Sequence, residues 1–183
     1  YEVMSSDWSS DVCSSDLAGT FYDNNDENIG YYFKQAGVSG RSPREVSTNL
    51  YKNGRKYYCF GFENSDVYGQ QVQVPYIPEK SNQQIGNYHV HWNNTTFSAL
   101  DLLLYTGRKH IVFGVMDNLN SRNVIFFPGD EESVNKKREF YYKWEGRETE
   151  LNEYIRSLMD SGYSGIHAIA FIVNGYGGTV YQS

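Results

Sequence analysis

The chain has 183 residues, of which 39% are hydrophobic and 21% are charged, so it is long enough to bury a core of its own. Its formal charge is -6 and it has no block of Lys or Arg, so little electrostatic free energy is available for binding nucleic acid. No apolar run approaches the ~20 residues that cross a bilayer. We therefore expect neither a nucleic-acid partner nor a membrane partner.

Residues 5–17 differ from the rest of the chain, because they repeat Ser-Ser-Asp and carry three Asp but no Lys or Arg. This segment resembles the translation of a common sequencing-adapter oligonucleotide. We predict that residues 1–17 are an artefact or disordered and that residues 18–183 form a single domain. Removing the three Asp changes the formal charge from -6 to -3. With Cys13 set aside, Cys59 is the only cysteine, which excludes an internal disulfide and a cysteine-based zinc cluster.

One helix and four strands are predicted before residue 97. The helix has apolar residues at helical spacing and ends at Gly37, whereas two of the strands flank Asn53-Gly54, the strongest short signal of a β-hairpin. The helix is predicted at residues 29–36, and the strands at residues 46–51, 56–62, 71–76 and 85–92.

Two more helices and further strands are predicted in the second half, separated by a charged loop that contains Lys136-Lys137-Arg138. Residues 110–116 and 123–127 are predicted to form one hairpin, and residues 166–173 and 179–182 another, around Asn174-Gly175. The helices are predicted at residues 98–106 and 148–160, and an aromatic strand at residues 140–144. This mixture of elements predicts the α+β class.

Two histidines, a serine and an aspartate lie within thirteen residues, from His89 to Asp101. Side chains at i and i+2 of a strand lie on one face, so His89 and His91 should converge. Ser98 suits a helix N-cap with an acidic residue three positions later, close to a capping box, which puts Asp101 in the first helical turn. Zinc accepts His nitrogen and carboxylate oxygen, and a catalytic zinc has three protein ligands. The pattern therefore predicts a metal site formed by His89, His91 and Asp101.

A simpler interpretation is that the two histidines line a polar sheet face and that Asp101 is only a helix-start carboxylate stabilised by the helix dipole. The other two histidines, His110 and His167, are each predicted to begin a strand and to have structural roles. His110 could also contact a metal ligand.

The pattern H-x-H followed by S-x-x-D resembles the signature of the JAMM (JAB/MPN) metallohydrolases, in particular the toxin-associated bacterial members. That signature begins with a distant Glu. Glu45 fits it best, because residues 44–58 resemble the family's pattern at this Glu. In that pattern the Glu opens a strand that contains an apolar residue followed by Tyr, and a turn and a Tyr-rich strand come next. The alternatives, Glu63 and Glu79, lie on turn-like sequence. The resemblance covers about residues 29–128.

The resemblance implies a JAB/MPN-like (cytidine-deaminase-like) core with a mixed sheet and flanking helices, followed by a C-terminal extension over residues 129–183. It implies Zn²⁺-dependent hydrolysis of a peptide or isopeptide bond in a peptide or protein substrate, by a cytoplasmic or secreted bacterial protein. Glu45 would be the general base for a water activated by the metal, and the Ser98 hydroxyl would help to hold the oxyanion. The alternatives are a non-catalytic protein-interaction module with the same fold and a hydrolase of another amide.

Several positions depart from the family's pattern. Val90 stands where Ser or Thr is usual, and Trp92 stands where Pro is frequent. Six residues rather than seven separate His91 from Ser98, and no Gly-Gly follows Glu45. A one-residue change in a loop costs little when the flanking elements are fixed. The departures therefore bear on the substrate more than on the metal.

Overall fold

A computed structural model describes residues 3–5, 46–53, 56–64, 83–91, 96–117 and 122–182. These ranges contain seven strands and four helices. The strands are β1 (Val3–Ser5), β2 (Val46–Asn53), β3 (Lys56–Asn64), β4 (Gln84–Val90), β5 (Phe113–Asp117), β6 (Arg122–Phe126) and β7 (Thr179–Gln182). The helices are α1 (Ala99–Gly107), α2 (Glu131–Trp144), α3 (Glu148–Asp160) and α4 (Gly165–Gly175).

The described strands form one mixed sheet in the order β1-β7-β6-β5-β4-β2-β3. The pairs β1–β7 and β4–β5 are parallel, and the other neighbours are antiparallel. The predicted α+β class is therefore confirmed. The helix predicted at residues 29–36 and the strand predicted at residues 71–76 lie outside the described residues.

Most elements that were predicted from short-range sequence signals are present in the structure. The two strands predicted to flank Asn53-Gly54 do pair antiparallel, since Asn53, the last residue of β2, pairs with Lys56, the first residue of β3. The β5–β6 hairpin and the helices α1 and α3 also form. The strand predicted at residues 85–92 forms as β4, which carries His89 but ends at Val90, one residue before His91. The strand β5 begins at Phe113 rather than at His110, which lies in an exposed turn.

The predicted charged loop and the predicted aromatic strand at residues 140–144 are wrong, because both belong to helix α2. The Asp130 carboxylate accepts a hydrogen bond of 2.8 Å from the backbone N–H of Ser133, which caps the helix. Burial of one helical face outweighs the preference of aromatic residues for strands. The buried residues of this face recur at helical spacing: Ser133, Lys137, Phe140 and Trp144.

The predicted strand at residues 166–173 is also wrong, and with it the hairpin around Asn174-Gly175. These residues form helix α4, and the Ser164 hydroxyl accepts a hydrogen bond from the backbone N–H of His167 at the helix start. The branched residues recur every third position on a buried face, so burial outweighs their preference for strands. They are Ile166, Ile169 and Ile172. The final strand, β7, forms as predicted but pairs with β6 and β1.

The four helices pack on β5, β6 and β7 in one hydrophobic core. On the core side of the sheet, Gly114 of β5 pairs with Ile125 of β6, and Ile125 pairs with Val180 of β7. The neighbour of β5 opposite to β6 is β4, where Gly114 pairs with Asn87. Paired residues point to the same sheet face, so Asn87 also lies on the core side of the sheet. This face therefore changes from apolar to polar at β4 and β2. The buried polar residues that β4 and β2 contribute to this face are Ser47, Asn49, Asn87 and His89.

Lys137, which we predicted to lie in a solvated loop, is only 1% exposed. Its ammonium group donates hydrogen bonds to the carbonyl oxygens of Arg108 at 3.2 Å and Ile111 at 2.5 Å. Both carbonyls lie between the end of α1 and the start of β5, and Arg108 is the C-cap residue of α1. Burial lowers the pKa of Lys137 from 10.5 to about 8.

We expect the free energy of unfolding to rise with pH between about 8 and 10.5, because the folded chain releases the Lys137 proton at lower pH than the unfolded chain does. Between pH 8 and 9.5 the gain should be about 2 kcal/mol relative to Lys137→Met. Urea unfolding at the two pH values measures it. Lys136→Met, at a half-exposed position on the same helix, should behave as the wild type. An equal pH dependence in Lys137→Met would contradict the assignment.

Candidate metal centre

Strand β4 and helix α1 bring the predicted ligands together. His89 lies near the end of β4 and His91 follows its last residue, and both are buried, with 5% and 7% exposure. Asp101 lies in the first turn of α1 and is partly buried. The ring of Phe97 packs edge-on against the His89 imidazole at 6.2 Å between centroids. The site is therefore a polar group on the border of the hydrophobic core.

Three atoms of these residues form a nearly regular triangle. The two Nε2 atoms of His89 and His91 lie 3.1 Å apart. Asp101 Oδ2 lies 3.5 Å from Nε2 of His89 and 3.6 Å from Nε2 of His91. Ligand atoms ~2.0–2.1 Å from a tetrahedral zinc ion stand about 3.4 Å from one another. The three residues could therefore hold one metal ion with little movement.

The capping box predicted at the start of α1 is confirmed, and it orients Asp101. Asp101 Oδ2 accepts a hydrogen bond of 2.8 Å from the backbone N–H of Ser98. In return, Ser98 Oγ accepts one of 3.1 Å from the backbone N–H of Asp101. The second bond uses a lone pair of the Ser98 oxygen and leaves its O–H as a donor. The helix cap thus aims the carboxylate at the histidines and places the Ser98 hydroxyl beside it.

The electrostatics of the site favour the protonation states that bind metal. Burial, and then the neighbouring His89, lower the pKa of His91 from 6.5 to about 4, against the opposing effects of Asp101 and of a hydrogen bond with the Thr96 backbone. Burial raises the pKa of Asp101, but His89 and His91, together with the Ser98 backbone, hold it well below its ordinary range. At neutral pH the site therefore presents a neutral His91 and an ionised carboxylate, the forms that ligate metal.

The general base expected from the resemblance, Glu45, lies outside the described residues, as does Glu79. Strand β2 begins at Val46, the residue after Glu45, and Val46 pairs with Val90 between the two histidines. Glu63 lies on β3 and pairs with Ser47, which in turn pairs with His89.

His110 and His167 do not join the group of His89, His91 and Asp101, and both are exposed. His167 lies in the first turn of α4 and contacts the Ser164 hydroxyl instead.

Two buried groups beside His89 escape prediction from the sequence. Asn87 lies two residues before His89 on the same strand face, and Tyr105 lies four residues after Asp101, one helical turn further along α1. Both spacings were visible in the sequence. A residue at such a spacing is recognised as a neighbour of the histidine only when the crossing of α1 over the sheet is known.

No protein-family model matches the chain, and no curated protein is significantly similar to it. Within the described ranges, no helix is long and apolar enough to cross a membrane. The geometry and chemistry of His89, His91 and Asp101 are therefore what indicate a metal centre.

Proposed function

We propose that the protein is a zinc-dependent hydrolase of peptide or isopeptide bonds, related to the JAMM metallohydrolases. One observation carries the proposal: two imidazole nitrogens and one carboxylate oxygen converge within 3.6 Å of one another beside the core. Burying two imidazoles and a carboxylate together costs free energy unless a paired charge, hydrogen bonds or a metal ion compensates for their lost hydration. A divalent cation is the compensation that this set of donors suits.

A shared proton explains the triangle less well than a cation does. One proton between the two Nε2 atoms would account for their separation of 3.1 Å. It would leave the contacts to Asp101 Oδ2, at 3.5 and 3.6 Å, longer than ordinary hydrogen bonds. Two ligands of one ion, in contrast, are expected at such separations. A single cation thus accounts for all three distances.

The donor set favours zinc among the divalent cations. Imidazole suits zinc and other transition metals, whereas magnesium and calcium prefer ligand sets made of oxygen. Three protein ligands also leave the fourth tetrahedral position open, as in catalytic zinc sites. When bound, zinc would lower the pKa of a coordinated water to about 7 and would polarise a substrate carbonyl.

The chain's own residues would supply the proton transfers and the oxyanion contact. Glu45 would take a proton from the attacking water and pass it to the leaving amine. The position of Val46, at the start of β2 and paired with Val90, supports this role for the residue before it. The Ser98 hydroxyl, which keeps its O–H as a donor beside Asp101, would stabilise the oxyanion of the substrate carbonyl. The choice of a peptide or isopeptide bond follows from the resemblance.

We expect the wild-type chain, purified in the presence of zinc, to retain about one zinc ion after dialysis, because three ligands define a single site. Zinc that binds only the folded state stabilises it by about 4 kcal/mol at 1,000 times Kd, which raises Tm by roughly 8 to 16 °C in a chain of this size. Elemental analysis and thermal unfolding with and without EDTA measure both effects. A folded wild type that retains no zinc and gains no Tm would contradict the proposal.

A further inference from the structure

The two ring nitrogens of His89 have different surroundings. Nε2 faces His91 and Asp101 in the candidate metal centre. Nδ1 lies 3.1 Å from the amide oxygen Oδ1 of Asn87 and 3.1 Å from the hydroxyl oxygen of Tyr105. Whichever nitrogen carries the proton cannot ligate a metal. The partners of Nδ1 therefore decide whether Nε2 can be a ligand.

Asn87 is oriented by a residue on the neighbouring strand. Its amide nitrogen Nδ2 donates a hydrogen bond of 2.9 Å to the Ser47 hydroxyl of β2, which turns the amide oxygen towards His89. An amide oxygen only accepts hydrogen bonds, so it requires a proton on Nδ1 of His89. Asn87 and Ser47 are both buried, with 4% and 5% exposure, so water does not compete for these bonds.

Tyr105 reaches the same nitrogen because the sheet beneath it lacks a side chain. The residue is fully buried, and a Cβ added at Gly114 would lie only 2.3 Å from an atom of the Tyr105 ring. Gly114 of β5 is paired with Asn87 of β4, so the ring lies over the strand next to the histidine strand. The Tyr105 hydroxyl oxygen can accept a share of the Nδ1 proton. Asn87 and Tyr105 thus contact Nδ1 from the strand side and the helix side.

We propose that Asn87, held by Ser47, and Tyr105, seated over Gly114, are positioning residues that keep the His89 proton on Nδ1 and present Nε2 to a metal ion. Neither residue is itself a ligand. The inference rests on the proposed function, since it assigns these residues to the proposed zinc site. Partners of this kind fix the tautomer and ring orientation of a metal-binding histidine, and losing one typically weakens metal binding 10- to 100-fold.

Zinc affinity, measured by competition with a chelating dye, tests the role of Asn87. Asn87→Leu keeps the approximate volume but removes the acceptor, and we expect a 10- to 100-fold weaker affinity. Asn87→Asp keeps an acceptor, since Ser47 can donate its O–H to the carboxylate, and we expect it to bind zinc at least as tightly as the wild type.

Tyr105→Phe tests the second positioning residue, because it keeps the buried ring and removes only the hydroxyl. We expect a weaker zinc affinity, and this variant remains informative if the Asn87 variants fail to fold.

A second measurement does not depend on zinc. Nitrogen-15 NMR of the histidine rings in the EDTA-treated wild type at neutral pH should report the proton of His89 on Nδ1. A proton on Nε2 would overturn the inference. It would equally be overturned if Asn87→Leu and Tyr105→Phe bound zinc as tightly as the wild type, or if Asn87→Asp lost as much affinity as Asn87→Leu. A wild type that binds no zinc would instead overturn the proposed function, and the NMR result would still decide the tautomer.

Discussion

Replacing His91 with alanine is expected to reduce the zinc content from about one ion per chain to none, because three protein ligands leave no spare donor. The change removes one corner of a triangle whose sides are 3.1, 3.5 and 3.6 Å. His89→Ala should have the same effect. At Asp101, the substitution Asp101→Asn separates the charge of the side chain from its role in the helix cap. An amide oxygen can still accept the hydrogen bond from the Ser98 backbone, while the negative charge is lost.

Matched controls come from the two histidines that do not join the group. His110→Ala and His167→Ala remove exposed imidazoles, so both variants should keep about one zinc ion per chain. Circular dichroism and Tm in EDTA separate loss of metal from loss of fold, because zinc contributes nothing under that condition. Retention of stoichiometric zinc by a folded His91→Ala chain would show that His91 is not a ligand. The interpretation of His89 and His91 as a polar sheet face would then be the better one.

Glu45→Gln is expected to keep the fold and the zinc but to lower the hydrolysis rate by ~10² to 10⁴, the usual cost of losing a positioned general base. The change preserves side-chain shape and removes only the capacity to take a proton. The probes are a fluorescence-quenched peptide and its isomer linked through a lysine side chain, which distinguish a peptidase from an isopeptidase. Zinc content of each variant, measured in parallel, ensures that a loss of rate is not a loss of metal.

Glu63→Gln and Glu79→Gln are the matched controls, because these are the other upstream carboxylates considered for the same role. Glu63 deserves the comparison because it pairs with Ser47, the partner of His89 in the next strand. Both variants should hydrolyse the probes at the wild-type rate. A loss confined to Glu63→Gln would reassign the base to β3. If zinc-loaded wild type cleaves neither probe, or Glu45→Gln cleaves as fast as wild type, a non-catalytic interaction module becomes the better account.

The resemblance to a hydrolase family and the geometry of the site support the proposal in different ways. The resemblance supplies the role of Glu45 and the class of scissile bond. The Glu45→Gln variant tests the first, and the two peptide probes test the second. The geometry supports the metal, because the distances among His89, His91 and Asp101 suit one ion. A zinc-binding chain without hydrolysis and a hydrolase with a different base are therefore separable outcomes.

The sequence alone determined those features that depend on residues close together in the chain. Three such features follow from local geometry: the i, i+2 spacing of His89 and His91 at the end of β4, the capping box of Ser98 and Asp101, and the β2–β3 hairpin. The grouping of His89, His91 and Asp101 was predictable for the same reason, since a strand end and a helix start only a few residues apart cannot separate far.

The tertiary structure decided the features in which burial outweighs local preference. Aromatic residues in α2 and branched residues in α4 favour strands locally, yet each set packs one helical face into the core. Packing of α2 on the core also places Lys137 out of contact with solvent. The bond between Ser47 and Asn87 joins residues 40 positions apart, and the Tyr105 hydroxyl reaches His89 across Gly114. No local pattern encodes such contacts, because they exist only once the strands are in register and α1 has packed on the sheet.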